Sequence, residues 1–414
     1  MNNILELFIT LLFIIFFLIS LFAISKRYGF RKKLSVIFFG LSSLLSIINY
    51  YYQILDPLPD ASLFHNLALQ TIDNHFYFGN SIVEQSFGAV FFVNFIIVPF
   101  YIFFGDNALN VIIFNNFLIA LVYMMIVRIS IDIFKYFTFK ASEEKIEKTT
   151  EIRIEYFSFI LVFFYPSLFM YRLFLLRDPL IIFATVLFMF SLLLIVKKNI
   201  NFRNMFLFII SLFLIIVIRP QNAPVLFICL IFIILMIKNI NIFYKIIGLF
   251  ISISIIFVFS ELQVFRFLSL INPEYLMSYR YSQVIQFNSY LPQIYYSSWL
   301  DILKLAPLTT FYYIFVPFFW LETSYEYLIP SIDSLFIFIL FILLLILSVR
   351  QKFPKNNMKN YLLFLMIFSL ISLISYSIVE VYFGGAVRHR MQQIIVVFPI
   401  LIGWIAKKRS NYKN

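Results

Sequence analysis

The stretch "YFGGAVRHRMQQIIVVFPILIGW", residues 382–404, holds Arg388, His389 and Arg390 between apolar runs. They belong to a wider set. Arg172, Arg177, Arg219, Arg266, Arg280, Lys304, Arg388 and Arg390 stand apart from the chain's six basic clusters, and seven of these eight residues are arginine. A guanidinium offers a planar fork of N–H donors that matches phosphate or carboxylate, a geometry an ammonium lacks. Charge beside hydrocarbon is costly, so each arginine either holds an anionic ligand, snorkels, or pairs with an acid such as Asp178, Glu261 or Glu380. His389 either moves a proton near neutral pH or serves as a neutral hydrogen-bonding residue, with Gln392 or Gln393 one turn below. The acids concentrate in "DPLPDASLFHNLALQTIDNHFYFGNSIVEQ", residues 56–85. Asp60, just after Pro59, reads as an N-cap and also as a carboxylate placed to take a proton from a hydroxyl. His65, Leu69 and Ile72 or Asp73 follow at helical spacing, which predicts an amphipathic helix lying on a membrane.

The elements that position these groups follow from composition. Of 414 residues, 63% are hydrophobic, and the mean hydropathy is +0.96. Soluble domains sit near half apolar, so this is an all-α, polytopic integral membrane protein. No polar stretch is long enough to form a soluble domain, and residues 1–414 read as one integral domain with outer loops 55–86 and 263–329 carrying the site. The first apolar segment, 4–24, lacks a basic leader and a small-residue cleavage site and reads as a retained helix. The single cysteine, Cys229, lies in an apolar run and argues against a disulfide framework or a cysteine-ligated metal.

The net charge of +12 has a topological origin rather than a nucleic-acid partner. Twenty-four of the 32 Lys and Arg fall in clusters at 26–33, 128–153, 197–203, 238–245, 350–359 and 407–413, which the positive-inside rule assigns to the cytoplasm. Spans of suitable length are 4–24, 34–54, 107–127, 156–172, 179–196, 204–218, 223–237, 244–262, 330–349, 360–381 and 391–406, about eleven crossings with the N-terminus outside. The proline-interrupted stretches 87–105 and 303–320 then read as re-entrant or interfacial helices. In this arrangement the arginine-rich set, with Asp60 and Asp178, faces outward. No internal repeat is visible.

The segments "PDASLFHNLA", "YMMIVRISIDIF", "YPSLFMYRLFLLRDPLIIFATVLFMFSLLL", "IRPQNAPVLF" and "GGAVRHRMQQIIVVFPIL" together resemble the GT-C-like membrane glycosyltransferases of bacterial surface-polysaccharide biosynthesis, over about residues 56–406. That resemblance implies sugar transfer from a polyprenyl phosphate or diphosphate on the outer face of the cytoplasmic membrane. A glycan or another lipid-linked sugar would be the acceptor. It implies a catalytic role for Asp60 in the first outer loop and for Asp178 in "LLRDP". The adjacent Asp-Glu pair of protein mannosyltransferases and the Asp-x-Asp of oligosaccharyltransferases are lacking, so a metal is not indicated and a protein acceptor is not implied. The helix ahead of the Asp60 loop is an additional departure.

Such a donor requires no soluble nucleotide, and the chain carries no Gly-rich phosphate loop. It requires cations at the membrane surface. Arg172, Arg177, Arg219, Arg280, Arg388 and Arg390, with His65, His389 and Gln393, are the substrate-binding candidates. Two alternatives share the lipid-linked partner. An O-antigen or capsule repeat-unit polymerase would use outer arginines, among them Arg280 in the tyrosine-rich "SYRYSQVIQFNSYLPQIYYSSW". A flippase would need charges along a central path, which these apolar spans do not offer.

Overall fold

The computed structural model describes residues 3–28, 32–73, 87–138, 147–197, 201–222, 225–229, 231, 272–286, 289–320, 328–350 and 357–410. Most of the expected span 223–237, all of 244–262, Arg266 and all of 74–86 lie outside these residues. The described chain is helical and holds no strand, only an isolated antiparallel bridge between Ser289 and Tyr382. Six helices are long and apolar enough to cross a membrane, or up to eight if two bent pairs each count as one span. The described residues thus supply several spans, as a multi-pass membrane protein requires, while the count of about eleven takes in spans that lie outside them.

The chain divides into two compact units, residues 1–132, 144–191 and 201–220 in the first, and 133–143, 192–200 and 221–414 in the second. In the first unit, α1 (Asn3–Tyr28) and α2 (Lys32–Tyr52) are spanning helices. On α1, Leu7, Phe8, Leu11, Leu12, Ile15, Phe16 and Ile19 are exposed at helical spacing. An exposed apolar stripe of that length is what a lipid solvent covers. Helix α3 (Pro59–Asp73) buries Ala61, Phe64 and Ala68, with His65 half-buried beside them, so it is the amphipathic element predicted.

The stretch 87–105 is one apolar helical run built as α4 (Phe87–Phe92), a π turn (Val93–Ile97) and α5 (Val98–Phe104). Proline was expected to break it. Instead the wide turn directly precedes Pro99, where the ring would crowd the carbonyl of Phe95, and the helix continues.

The 31-residue α6 (Ala108–Thr138) is buried over most of its length. Its polar side chains bond neighbouring segments: Asn110 accepts from Thr10 at 2.9 Å, Asn116 donates to Ser46 at 2.7 Å, and Asn115 donates to the Leu176 carbonyl at 2.9 Å. Side-chain hydrogen bonds of this kind hold helices together where no hydrophobic force distinguishes helix from lipid. The predicted span 156–172 is broken. Helix α7 (Lys148–Phe163) stops before Pro166, and only the six-residue α8 (Pro166–Tyr171) follows. Helices α9 (Asp178–Val196) and α10 (Phe202–Ile218) follow the break, and the Asn201 side chain caps α10 by accepting from the Asn204 amide at 2.9 Å.

The second unit holds α11 (Pro273–Gln286), α12 (Trp299–Phe315), α13 (Leu328–Arg350), α14 (Asn357–Val379), α15 (Phe383–Ile395) and α16 (Phe398–Ser410). A capping box starts α12: the Ser298 hydroxyl accepts from the Asp301 amide, and the Asp301 carboxylate accepts from the Ser298 amide. Hydrogen bonds from Ser297 and Ser298 hold the Asp301 carboxyl down at about 2. Pro307 sits inside α12 without ending it. The expected span 391–406 is bent, with α15 and α16 meeting at 47°. Tyr290, Tyr296, Ile302, Tyr313, Tyr376 and Ala386 form the buried core around α12, α14 and α15.

Candidate functional site

In the first unit, two chain breaks deliver the charged residues. Arg177 and Asp178 close the turn that starts α9, and Arg219 terminates α10, where its amide bonds the Ile215 carbonyl. The Arg219 guanidinium donates to the Asp178 carboxylate in a fully buried ion pair. Asp178, for which the resemblance implies a catalytic role, is here the carboxylate that pairs with Arg219. Gly88 on α4 approaches this turn so closely that a β-carbon there would overlap the Ile218 carbonyl and press on the Arg177 guanidinium. Only glycine permits that approach.

Helix α3 lies on the α4–α5 run, with Phe64 edge-on to Phe92 at 5.6 Å. His65 Nδ1 stands 2.6 Å from the Tyr101 hydroxyl, and burial lowers the pKa of the imidazole, so it is neutral at pH 7. Asp60 falls inside the first turn of α3 rather than before it. It is half-buried at the positive end of the helix dipole, and the N-cap position belongs to Leu58, whose carbonyl accepts from the Ala61 amide.

Arg172 stands elsewhere. Its guanidinium carbon lies 4.3, 5.0 and 5.6 Å from the ring centres of Phe163, Phe169 and Phe38. Phe38 stacks on Tyr123, the midpoint of α6, about 12 Å along that helix from Asn115. The sequence places Arg172 at the outer rim; the structure puts its head group at mid-depth of α6, because the break at Pro166 turns the chain back inside. It is fully buried, and none of its three guanidinium nitrogens has a hydrogen-bond partner among the described residues.

In the second unit, α15 carries four of the candidates on one helix. Arg390 is fully buried and donates to Asp333 Oδ2 at 3.0 and 2.6 Å, to Ser334 at 3.0 Å, and to the carbonyls of Tyr313, Ile314 and Val316. That engages the whole guanidinium, so Arg390 clasps the end of α12 to the start of α13 rather than offering a fork to a ligand. Arg280, also fully buried, donates to the Leu291 and Ile378 carbonyls at 2.9 and 3.3 Å and lies over the Tyr296 ring. Gln393 is buried, with its side-chain oxygen unpartnered among the described residues, and its carbonyl accepts from Ser369 at 2.9 Å.

Arg388 and His389 are half-buried on the other face of α15. His389 Nδ1 lies 2.8 Å from Glu380 Oε2, and its ring lies 5.0 Å from that of Tyr376. Tyr376 donates to Asn222 Oδ1 at 2.6 Å, and Asn222 donates to Gln392 Oε1 at 3.1 Å.

Sequence reasoning passed over Asp333, Tyr376 and the pairing of Glu380 with His389. Asp333 had a signal, as the single acid inside an apolar span. Glu380 had one too, because it precedes the glycine pair Gly384–Gly385, and a β-carbon on Gly385 would strike the Glu380 carboxylate. Among the described residues no three His, Cys, Asp or Glu side chains gather as metal ligands. No family model, curated protein or solved structure matches the chain.

Proposed function

We propose that the chain is a membrane glycosyltransferase of bacterial surface-polysaccharide assembly, drawing its sugar from a polyprenyl phosphate or diphosphate at the outer face of the cytoplasmic membrane. The observation that carries this reading is the turn at Arg177, Asp178 and Arg219, where two guanidiniums and one carboxylate meet at helix ends beside Gly88. The turn thereby gathers two guanidinium groups at helix ends, chemistry that suits a phosphate leaving group. Asp60 and His65 on α3 supply a half-buried carboxylate and a neutral imidazole on the neighbouring helical layer.

A polymerase built on Arg280 is less well supported, since that guanidinium serves two backbone carbonyls. A flippase path needs a file of charges, and Arg172 is a single one at mid-depth.

The test uses membranes carrying each variant in a strain that lacks the native copy, supplied with radiolabelled polyprenyl-linked sugar and normalised to inserted protein. Arg177→Ala should weaken transfer by about 2–5 kcal/mol, the cost of truncating a charge partner in a poorly solvated site. Unchanged transfer with Arg177→Ala and with Asp60→Asn would overturn the reading.

A further inference from the structure

A guanidinium keeps its proton inside proteins, so Arg172 carries a full positive charge into the interior of the first unit. The faces of Phe38, Phe163 and Phe169 attract that charge, but a ring offers no acceptor to N–H groups that point along the guanidinium plane. Nε and both terminal nitrogens are enclosed and have no hydrogen-bond partner among the described residues. Arg219 and Arg390 are buried to the same degree, and each meets a carboxylate.

A second observation leads to the same place. Ser42, Ser43, Ser46 and Asn49 recur at helical spacing on α2, and all four are buried. Two contacts set how α2 passes α6: Asn116 donates to Ser46 at 2.7 Å, and Tyr123 stacks on Phe38 at 5.3 Å. Numbering rises along α6 as it falls along α2, so the two helices run antiparallel between these contacts. The polar face of α2 thus descends beside α6 to Phe38, whose ring centre is 5.6 Å from the Arg172 guanidinium carbon. Along this seam the Ser43 hydroxyl and the Asn116 side-chain oxygen are also buried without a partner among the described residues. An ion follows such a seam at far lower cost than it crosses hydrocarbon.

We propose that Arg172 anchors a binding site for one small monovalent anion of halide size within the first unit. The inference uses that unit alone and stands apart from sugar transfer. Charge sets the valence: one guanidinium balances one negative charge, and a phosphate dianion would leave a charge unbalanced in the interior. Enclosure sets the size. The head group has no exposed surface, so a ligand enters by displacing a ring, and a single atom about as large as a methyl group needs the smallest displacement. A lipid head group would also need an opening for its chains. A spherical anion takes in-plane N–H donors without having to match the spacing of the fork. Bound there, it ties the segment between α8 and α9 to its aromatic surroundings five residues ahead of Arg177.

The test uses the full chain purified in detergent, with chloride titrated against gluconate at fixed ionic strength. The wild-type melting temperature should climb with chloride and with bromide, as it does for any ligand that binds only the folded state. Arg172→Met should remove the climb. Arg172→Lys keeps the charge without the planar fork and should show a weaker climb. Arg390→Met, which lacks the clasp in the other unit, should melt lower yet still respond to chloride. Equilibrium dialysis of the wild type with radiolabelled chloride supplies a readout that needs no variant: one ion per chain, displaced by bromide and not by inorganic phosphate or gluconate. A wild type that neither responds to nor retains chloride would overturn the inference. An equal chloride response in Arg172→Met would overturn it as well, and displacement by phosphate as effective as that by bromide would overturn the assignment of a halide-sized monoanion.

Discussion

Arg390 in the second unit and Arg172 in the first are equally buried, and both were candidates for the same phosphate. Their surroundings differ completely. Arg390 meets a carboxylate, a hydroxyl and three carbonyls, while Arg172 meets three phenyl rings and no acceptor among the described residues. Burial therefore does not separate structure from function here; the count of acceptors does. A guanidinium whose donors are all taken contributes to the fold, and one with idle donors in an aromatic cage is kept at a cost the rings offset only partly.

The largest effect that would sharpen this contrast is expected from Arg390→Met. It takes the guanidinium away from the buried Asp333 carboxylate and the last carbonyls of α12, and should cost about 3–5 kcal/mol. Thermal melting of the purified protein in detergent reads it directly. The double variant Arg390→Met, Asp333→Leu should recover much of the loss; no recovery would mean that the carbonyls, not the ion pair, carry the clasp. Arg280→Met comes next, since only carbonyls are orphaned, with an expected cost of about 1–3 kcal/mol in the same melt. Ser298→Ala removes the acceptor of the α12 capping box and sets a yardstick of about 1 kcal/mol. Arg172→Met should cost least, leaving the melting temperature level or raised. A loss as large as that of Arg390→Met would break the contrast and reveal an acceptor for Arg172 that the folded chain supplies.

Much of the scaffold was legible from residue type. Apolar length marks α1, α2, α6, α9, α13 and α14, whereas the arginines outside the basic clusters, read as an outward-facing set, include four that are fully buried: Arg172, Arg219, Arg280 and Arg390. Proline was harder to read. Pro166 opens a new short helix after α7 has stopped, whereas Pro99 follows a π turn and Pro307 sits within α12 without ending it. Pairings were the least legible. Arg390 and Asp333 lie 57 residues apart, and no periodicity links them. The Glu380–His389 pair spans only an elbow, and the glycine pair inside that elbow was the visible sign.

The clasp also sets a schedule for how the protein is made. The acidic start of α13 leaves the ribosome 57 residues before Arg390 does, so the Asp333 carboxylate waits for that arginine. At ordinary synthesis rates that interval is roughly 3–11 s. Throughout it, Asp333 on α13 is without the guanidinium that donates to its Oδ2 in the finished fold. The clasp therefore predicts that α13 reaches its final packing only once α15 has been made. A chain stalled before residue 390 should remain extractable and protease-sensitive where the finished one is not.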